Sequence, residues 1–270
     1  MELILLGTGA PPPTPHRSGK ADGVVAAGRL HVVDAGRNVA RQISAAGIAV
    51  KAVDHVFFTH FHSDHYTGFD DLFITRWLTG ARTALQVFGP APVKGIVERL
   101  LAYYEYDIEV RVAEGRPRAG TTIDVRVLSP GESVDVDEVR VRTARGTHHG
   151  NVEDTLSYRF DAEGRSIVLA GDGQPTDALV ALARGADVLV LHPALPRHLE
   201  QLGQTPEMAR IIASHHASIE EVGRAAAAAG VRTLVLSHLV PPGAPEAEVR
   251  EEVGRFFKGA IVVGRDLQRI

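Results

Sequence analysis

Short runs of Val, Ile and Leu alternate along the chain with stretches whose apolar residues recur every three or four positions. Glu2 to Leu6 reads as a strand, and Gly7-Thr8-Gly9 turns sharply after it. Leu30 to Val33 is a second strand, ending at Asp34-Ala35-Gly36, and Arg37 to Ala46 a helix stopped by Gly47. His55 to Phe58 is a buried strand running into Thr59-His60. Leu85 to Phe88 is another, and Pro92 to Tyr106 has helical spacing. Beyond Gly120 the pattern turns β-rich, with strands expected at Thr122 to Leu128, Glu138 to Thr143, Thr155 to Phe160 and Ser166 to Ala170. Alternation then returns. Helices are expected at Thr176 to Ala183, Ser218 to Ala229 and Glu246 to Phe257, with strands at Asp187 to Leu191, Thr233 to Leu236 and Ala260 to Val263. Ser218 is placed to cap its helix and Gly230 to close it. Such a mixture suits sheets covered by helices, an α/β or α+β layered domain.

Composition narrows the chemistry. The 270 residues are 44% hydrophobic and 23% charged, the balance of an ordinary globular domain. The net charge of -4 gives no overall basic footprint for nucleic acid. There is no cysteine, so any metal site must use nitrogen and oxygen donors, and 13 histidines are available. No apolar run approaches the roughly 20 residues of a membrane helix. The start, Met1-Glu2-Leu3-Ile4, lacks the basic region of a signal peptide, so a cytoplasmic protein without membrane contact is expected.

One segment concentrates ligand-type side chains. In Thr59-His60-Phe61-His62-Ser63-Asp64-His65, a buried strand delivers His60 and His62 on one side of Phe61, and Asp64 and His65 follow on a turn into a helix. Imidazole and carboxylate packed this way suit zinc, with manganese or iron as further options. Left without a partner, such groups at a strand end would carry a large desolvation cost. Downstream, His149, Asp172 and His238 each follow a predicted strand or stand in a turn after one.

The HxHxDH run, with these three later residues in order, resembles the signature of the metallo-β-lactamase superfamily. Leu6-Gly7-Thr8-Gly9, Asp34-Ala35-Gly36, Gly171-Asp172 and Leu236-Ser237-His238 make it most similar to the ribonuclease Z and arylsulfatase-like branch, over essentially the whole chain. The resemblance implies a four-layer αββα sandwich. It would form a single domain, 1–270, of two similar halves, roughly 1–130 and 131–270. It implies two divalent metal ions, with His60, His62 and His149 on the first, Asp64, His65 and His238 on the second, and Asp172 bridging. Two such ions share a hydroxide and clamp the oxygens of an ester undergoing displacement. Asp64 would also orient that nucleophile. His148 adjoins His149 and competes for its place; His149 is favoured because Gly150-Asn151-Val152-Glu153-Asp154 follows it. His216, before Ala217-Ser218, matches the histidine that meets the scissile group in this branch, as general acid or phosphate contact. The ordinary alternative is a capping or surface histidine. Asp34 is placed either to orient a ligand histidine or merely to make its turn. His16, His31, His55 and His198 read as structural or exposed.

For the substrate, three features point away from tRNA. The interval from His149 to Asp172 has no room for the protruding arm that grips tRNA in ribonuclease Z. His192 is followed by Pro193 where that branch has a glutamate. The net charge is negative. A small ester-type substrate is therefore expected, a phosphodiester or sulfate ester, with a large tRNA substrate disfavoured. The alternatives are a ribonuclease Z-like tRNA 3′-endonuclease, a lactonase, a mononuclear iron oxygenase of the same fold, and a non-catalytic metal-binding protein. Phe69, Phe73 and Trp77 follow the metal motif on a helix and are either pocket wall or core. A homodimer is an expectation from the frequency of symmetric pairing alone.

Overall fold

The computed structural model describes residues 1–147 and 155–270. Among these, fourteen strands form two seven-stranded sheets. The first has the order β14-β1-β2-β3-β4-β5-β6, from Gln268–Arg269, Glu2–Gly7, Ala21–Ala26, Arg29–Val33, His55–Phe57, Leu85–Gly89 and Ile123–Val127. The second has the order β13-β12-β11-β10-β9-β8-β7, from Ala260–Val263, Thr233–Leu236, Val188–Leu191, Arg165–Leu169, Leu156–Ala162, Val139–Arg145 and Ser133–Val136. Both sheets are mixed: β3 to β6 run parallel, as do β10 to β13, while β1 to β3 and β7 to β10 are antiparallel.

Helices α1 (Val39–Ala45), α3 (Phe69–Leu78) and α4 (Val93–Ala113) cover the first sheet; α5 (Asp177–Leu182), α8 (Ile219–Ala229) and α9 (Glu246–Val253) cover the second. The fold is the αββα sandwich. Strand β1 shows why its sequence is a continuous apolar run. Successive side chains leave a strand on opposite faces. Leu3 and Leu5 enter the core between the sheets with Phe57, Tyr158 and Phe160, while Ile4 and Leu6 meet Ile43, Phe69 and Trp77 under the helices. A strand covered on both faces has no polar side to show.

Several elements depart from the pattern-based expectation. Helix α4 runs on to Ala113, although Asp107-Ile108-Glu109-Val110-Arg111-Val112 has the two-residue period of a strand. The Asp107–Arg111 pair at helical spacing and the burial of Ile108 support the extra turns. Helix α9 ends at Val253, where Gly254 follows. Between β11 and α8 lies a helical hairpin, α6 (Pro196–Gln201) and α7 (Pro206–Ser214), which the periodicity did not suggest. Thr205 caps α7 by accepting from Met208 N, and Pro206 opens it. Ser218 and Glu221 form a reciprocal capping box at α8, and Gly230 closes that helix in the left-handed conformation. Phe73 and Trp77 are core residues, whereas Phe69 also borders a cavity of about 360 Å³ shared with Tyr66, Arg99 and Tyr103.

Candidate metal centre

The ligand-type side chains meet at one end of the sandwich because each follows the carboxyl end of a strand. Asp34 leaves β3, and His60 leaves β4. Asp172 leaves β10, His192 leaves β11 and His238 leaves β12. Helix α2 (Ser63–Tyr66) carries Asp64 and His65 back over this end. Its approach to the Asp34-Ala35-Gly36 turn requires glycine: a Cβ on Gly36 would stand 2.4 Å from the Asp64 carbonyl oxygen. Gly68 packs as closely against Gly36 from the other side. Ala35 N donates to His65 O at 2.6 Å and Gly68 N to Ala35 O at 2.8 Å, so the turn and the helix are one unit.

Among the described residues, three overlapping groups of buried donors result: His60, His65 and Asp172; Asp64, His65 and His238; and Asp172, His216 and His238. Within each group one donor atom per residue lies within 4.8 Å of the others. His62 stands beside them, its ring 5.0 Å from that of His60, half-buried at the start of α2, and belongs to none of the three. His148 and His149 lie outside the described residues.

The hydrogen bonds fix orientations. Asp34 Oδ2 is 2.8 Å from His65 Nδ1, while Asp34 Oδ1 accepts from Thr59 N at 2.8 Å. A carboxylate on Nδ1 leaves Nε2 as the lone-pair nitrogen of His65 once the ring is neutral, and Nε2 is turned toward Asp172 Oδ2 at 3.4 Å and Asp64 Oδ2 at 3.8 Å. Thr59 Oγ1 reaches both Asp34 and His60 Nδ1. Asp64 Oδ2 meets His238 Nε2 at 2.8 Å, and Asp172 Oδ1 meets His192 Nδ1 at 2.7 Å. His238 holds this position with φ of 51°, a left-handed backbone that a non-glycine residue rarely keeps without a local constraint. Beneath lies a buried Lys20–Asp22 ion pair.

Electrostatics show what charge the cluster favours. Burial alone would raise the Asp64 carboxyl, but the His238 hydrogen bond and the charges of His65 and His238 outweigh it and hold the group at about 2. Burial also works against ionised Asp172; His238, His65, His216 and the His192 hydrogen bond together hold its carboxyl well below the usual range. Burial works against protonated His65, yet Asp172 and Asp34 on its two sides raise it well above an ordinary imidazole. Asp34, Asp64 and Asp172 thus bring anionic charge into a buried place that favours a cation. Buried charges of this kind are paired or coordinate metals. Among the described residues, the buried His65 Nε2 makes no hydrogen bond although it faces two carboxylates at 3.4 and 3.8 Å. The donors fit a divalent metal ion, all nitrogen and oxygen, convergent and oriented from behind.

His216 joins this cluster from the second sheet. It sits between the end of α7 and the Ser218 cap of α8, with Nδ1 3.6 Å from Asp172 Oδ2 and its ring 5.5 Å from that of His238. Burial pushes its imidazole down to about 4, so it is neutral near pH 7 until negative charge arrives beside it. The sequence places His192 at the end of the Asp187 to Leu191 strand, where the branch has a histidine–glutamate pair, but gives it no partner. Its bond to Asp172, twenty positions away, carries no local sequence signal.

A family model described as "Beta-lactamase superfamily domain" matches residues 29–239. A protein named Ribonuclease Z from Mycobacterium sp. (strain KMS) is 38% identical over 275 residues, covering 100% of this chain and 95% of the relative. A Ribonuclease Z of Mycobacterium bovis (strain BCG / Pasteur 1173P2) is 36% identical over 277 residues, with 100% and 98% covered. The chain belongs to the metallo-β-lactamase superfamily, in its ribonuclease Z branch. This metallo-β-lactamase protein is a metallo-hydrolase, and its fold implies divalent metal ions. Among solved structures, the metallo-β-lactamase fold protein YhfI from Bacillus subtilis superposes with a TM-score of 0.76 at 16% identity, covering 100% of this chain and 98% of that one. The short form of human tRNase Z gives 0.74 at 19%, with 100% and 98% covered.

These relatives overturn one expectation. The substrate was expected to be a small molecule, with tRNA disfavoured for want of an arm, of a glutamate after His192 and of positive net charge. Proteins named Ribonuclease Z match this chain over 95% and 98% of their own lengths, leaving them almost no extra segment. The missing arm therefore does not set this metallo-β-lactamase chain apart from them. Net charge says nothing of the surface around one site, and the His192 ring is engaged with Asp172 whatever residue follows it.

Proposed function

We propose that the chain is a divalent-metal-dependent endoribonuclease that cuts precursor tRNA at its 3′ side. The observation that carries this reading is the 36–38% identity to proteins named Ribonuclease Z along the whole chain. The buried nitrogen–oxygen donor cluster supports it. In this reading His60, His62, Asp64, His65, Asp172 and His238 hold two divalent ions, zinc by the donor set, together with His149. Bound ions supply Lewis acidity toward the phosphodiester and bring the pKa of water near 7. Asp34 orients His65. Asp64, ionised, accepts the proton of the attacking water. His216 contacts the entering phosphate, whose negative charge favours its protonated form, and passes that proton to the departing oxygen. The chain acts as one domain of two similar halves, in the cytoplasm; no described helix is long and apolar enough to cross a membrane.

The test uses purified, metal-analysed protein and a tRNA transcript carrying a 3′ trailer. Release of the trailer is expected, abolished by a chelator and restored by zinc or manganese. A fully metal-loaded protein that leaves the precursor intact would sink the proposal.

A further inference from the structure

The two carboxylate oxygens of Asp172 have different surroundings. Oδ2 faces the cluster, 3.4 Å from His65 Nε2, 3.6 Å from His216 Nδ1 and 3.7 Å from His238 Nε2. Oδ1 faces away, 2.7 Å from His192 Nδ1. An ionised carboxylate can only accept, so the ring nitrogen is the donor in that bond. We infer that His192 is a positioning residue, whose Nδ1–H occupies Asp172 Oδ1 and so presents Oδ2 alone to the ions the cluster holds.

The scaffold around His192 suits that task. The residue is 2% exposed and follows β11, whose last residue, Leu191, accepts from Ser237 N at 3.1 Å. Pro193 fixes the next backbone angle, and its carbonyl accepts from Val240 N at 3.1 Å. Ala194 N then donates to Ala217 O at 2.8 Å, and Leu195 N to Val240 O at 2.7 Å. The segment is pinned on both sides, by Ala217, next to His216, and by the loop after His238. The ring lies 5.5 Å from that of His238 yet belongs to none of the three donor groups. A carboxylate without such a donor turns about its last bond, which is broad and two-fold. Proline after His192 is thus no loss to the site, because the histidine ring alone does this work.

The inference rests on reading the cluster as a divalent-metal centre, so zinc uptake by the wild-type full chain is measured first, by competition with a chelating indicator. A wild type that takes up no zinc ends both readings. With uptake established, His192→Asn places an amide N–H near the former Nδ1 and should keep affinity within a few-fold. His192→Gln reaches toward the Nε2 position instead and should lose about 10–100-fold, the usual cost of removing a partner that orients a metal ligand. The absorption spectrum of the cobalt-loaded protein should shift for His192→Gln and stay for His192→Asn. Thermal melts of the metal-free variants check that both fold. Equal loss in the two variants, or wild-type affinity in His192→Gln, would overturn the assignment.

Discussion

Buried histidines lie within the paired strands β3 and β4 and again beyond their carboxyl ends, and the two places behave oppositely. His31, in the middle of β3, and His55, at the start of β4, are cross-strand partners with rings stacked 5.0 Å apart. Phe57, Phe88 and Phe160 surround them. Past the carboxyl ends, Asp34, His60 and His65 stand among carboxylates. Burial is much the same: His31, His60 and His65 are all 0% exposed. Yet burial, helped by the neighbouring His55, pushes His31 down to about 4, while Asp172 and Asp34 lift His65 well above the ordinary value against the same burial. Depth therefore does not decide what a buried histidine can do. At His65 two carboxylates, one at each ring nitrogen, fix the ring and together outweigh its burial.

The strongest way to break this comparison is to remove a carboxylate from the functional end. Asp64→Ala should lower metal occupancy, read by elemental analysis, and cut turnover by more than about 100-fold, since even partners outside the coordination sphere cost about 10–100-fold. Normal turnover in that variant would refute the site. His216→Ala should keep its metal and lose about 10²–10⁴ in rate, the range of general acid catalysis; metal loss would instead make it a ligand. Asp34→Ala should weaken zinc affinity by about 10–100-fold by freeing the His65 ring, measured in the same indicator competition. Unchanged affinity would show that helix α2 alone orients His65.

The smallest effect belongs to the aromatic end. His31 has a folded-state value of about 4 against an unfolded value near 6.5, so the unfolded chain binds the extra proton first. Above about pH 6.5 His31 is neutral in both states and costs nothing, and as pH falls toward 4 protonation of the unfolded chain destabilises the fold. Between pH 7 and pH 5 the loss from this residue should be about 2 kcal/mol, within a factor of two. Denaturant titrations should show a shallower pH slope for His31→Leu than for the wild type. Parallel slopes would mean that His31 does not titrate in that window.

How much of this could be read from the sequence follows from distance along the chain. The motif from His60 to His65 is local, and its strand-to-helix setting was legible with it. Asp172 and His238 were found because each follows a short apolar run, and Asp34 because it ends one. His192 was not understood, because its partner belongs to another strand. The α6–α7 hairpin escaped because two helices of six and nine residues leave little periodicity to detect. Strand β2 escaped because Asp22 and Gly23 interrupt its apolar run, and only the buried pair with Lys20 explains a charge there. Substrate size was not legible, because an appended arm, the residue after His192 and the net charge all lie outside the cluster that does the chemistry.

The contact between Asp64 and His238 joins positions 174 apart in the chain. A polypeptide emerging from the ribosome presents His60, Asp64 and His65 within the first sheet, long before β12 and His238 exist. Domains fold as units during synthesis, and pairings of such long range are slow to form. The constellation is therefore finished last, when the second sheet closes on the first. Chains cut short or still unfinished hold one side of the cluster without the other, so catalytic competence arrives together with completed folding.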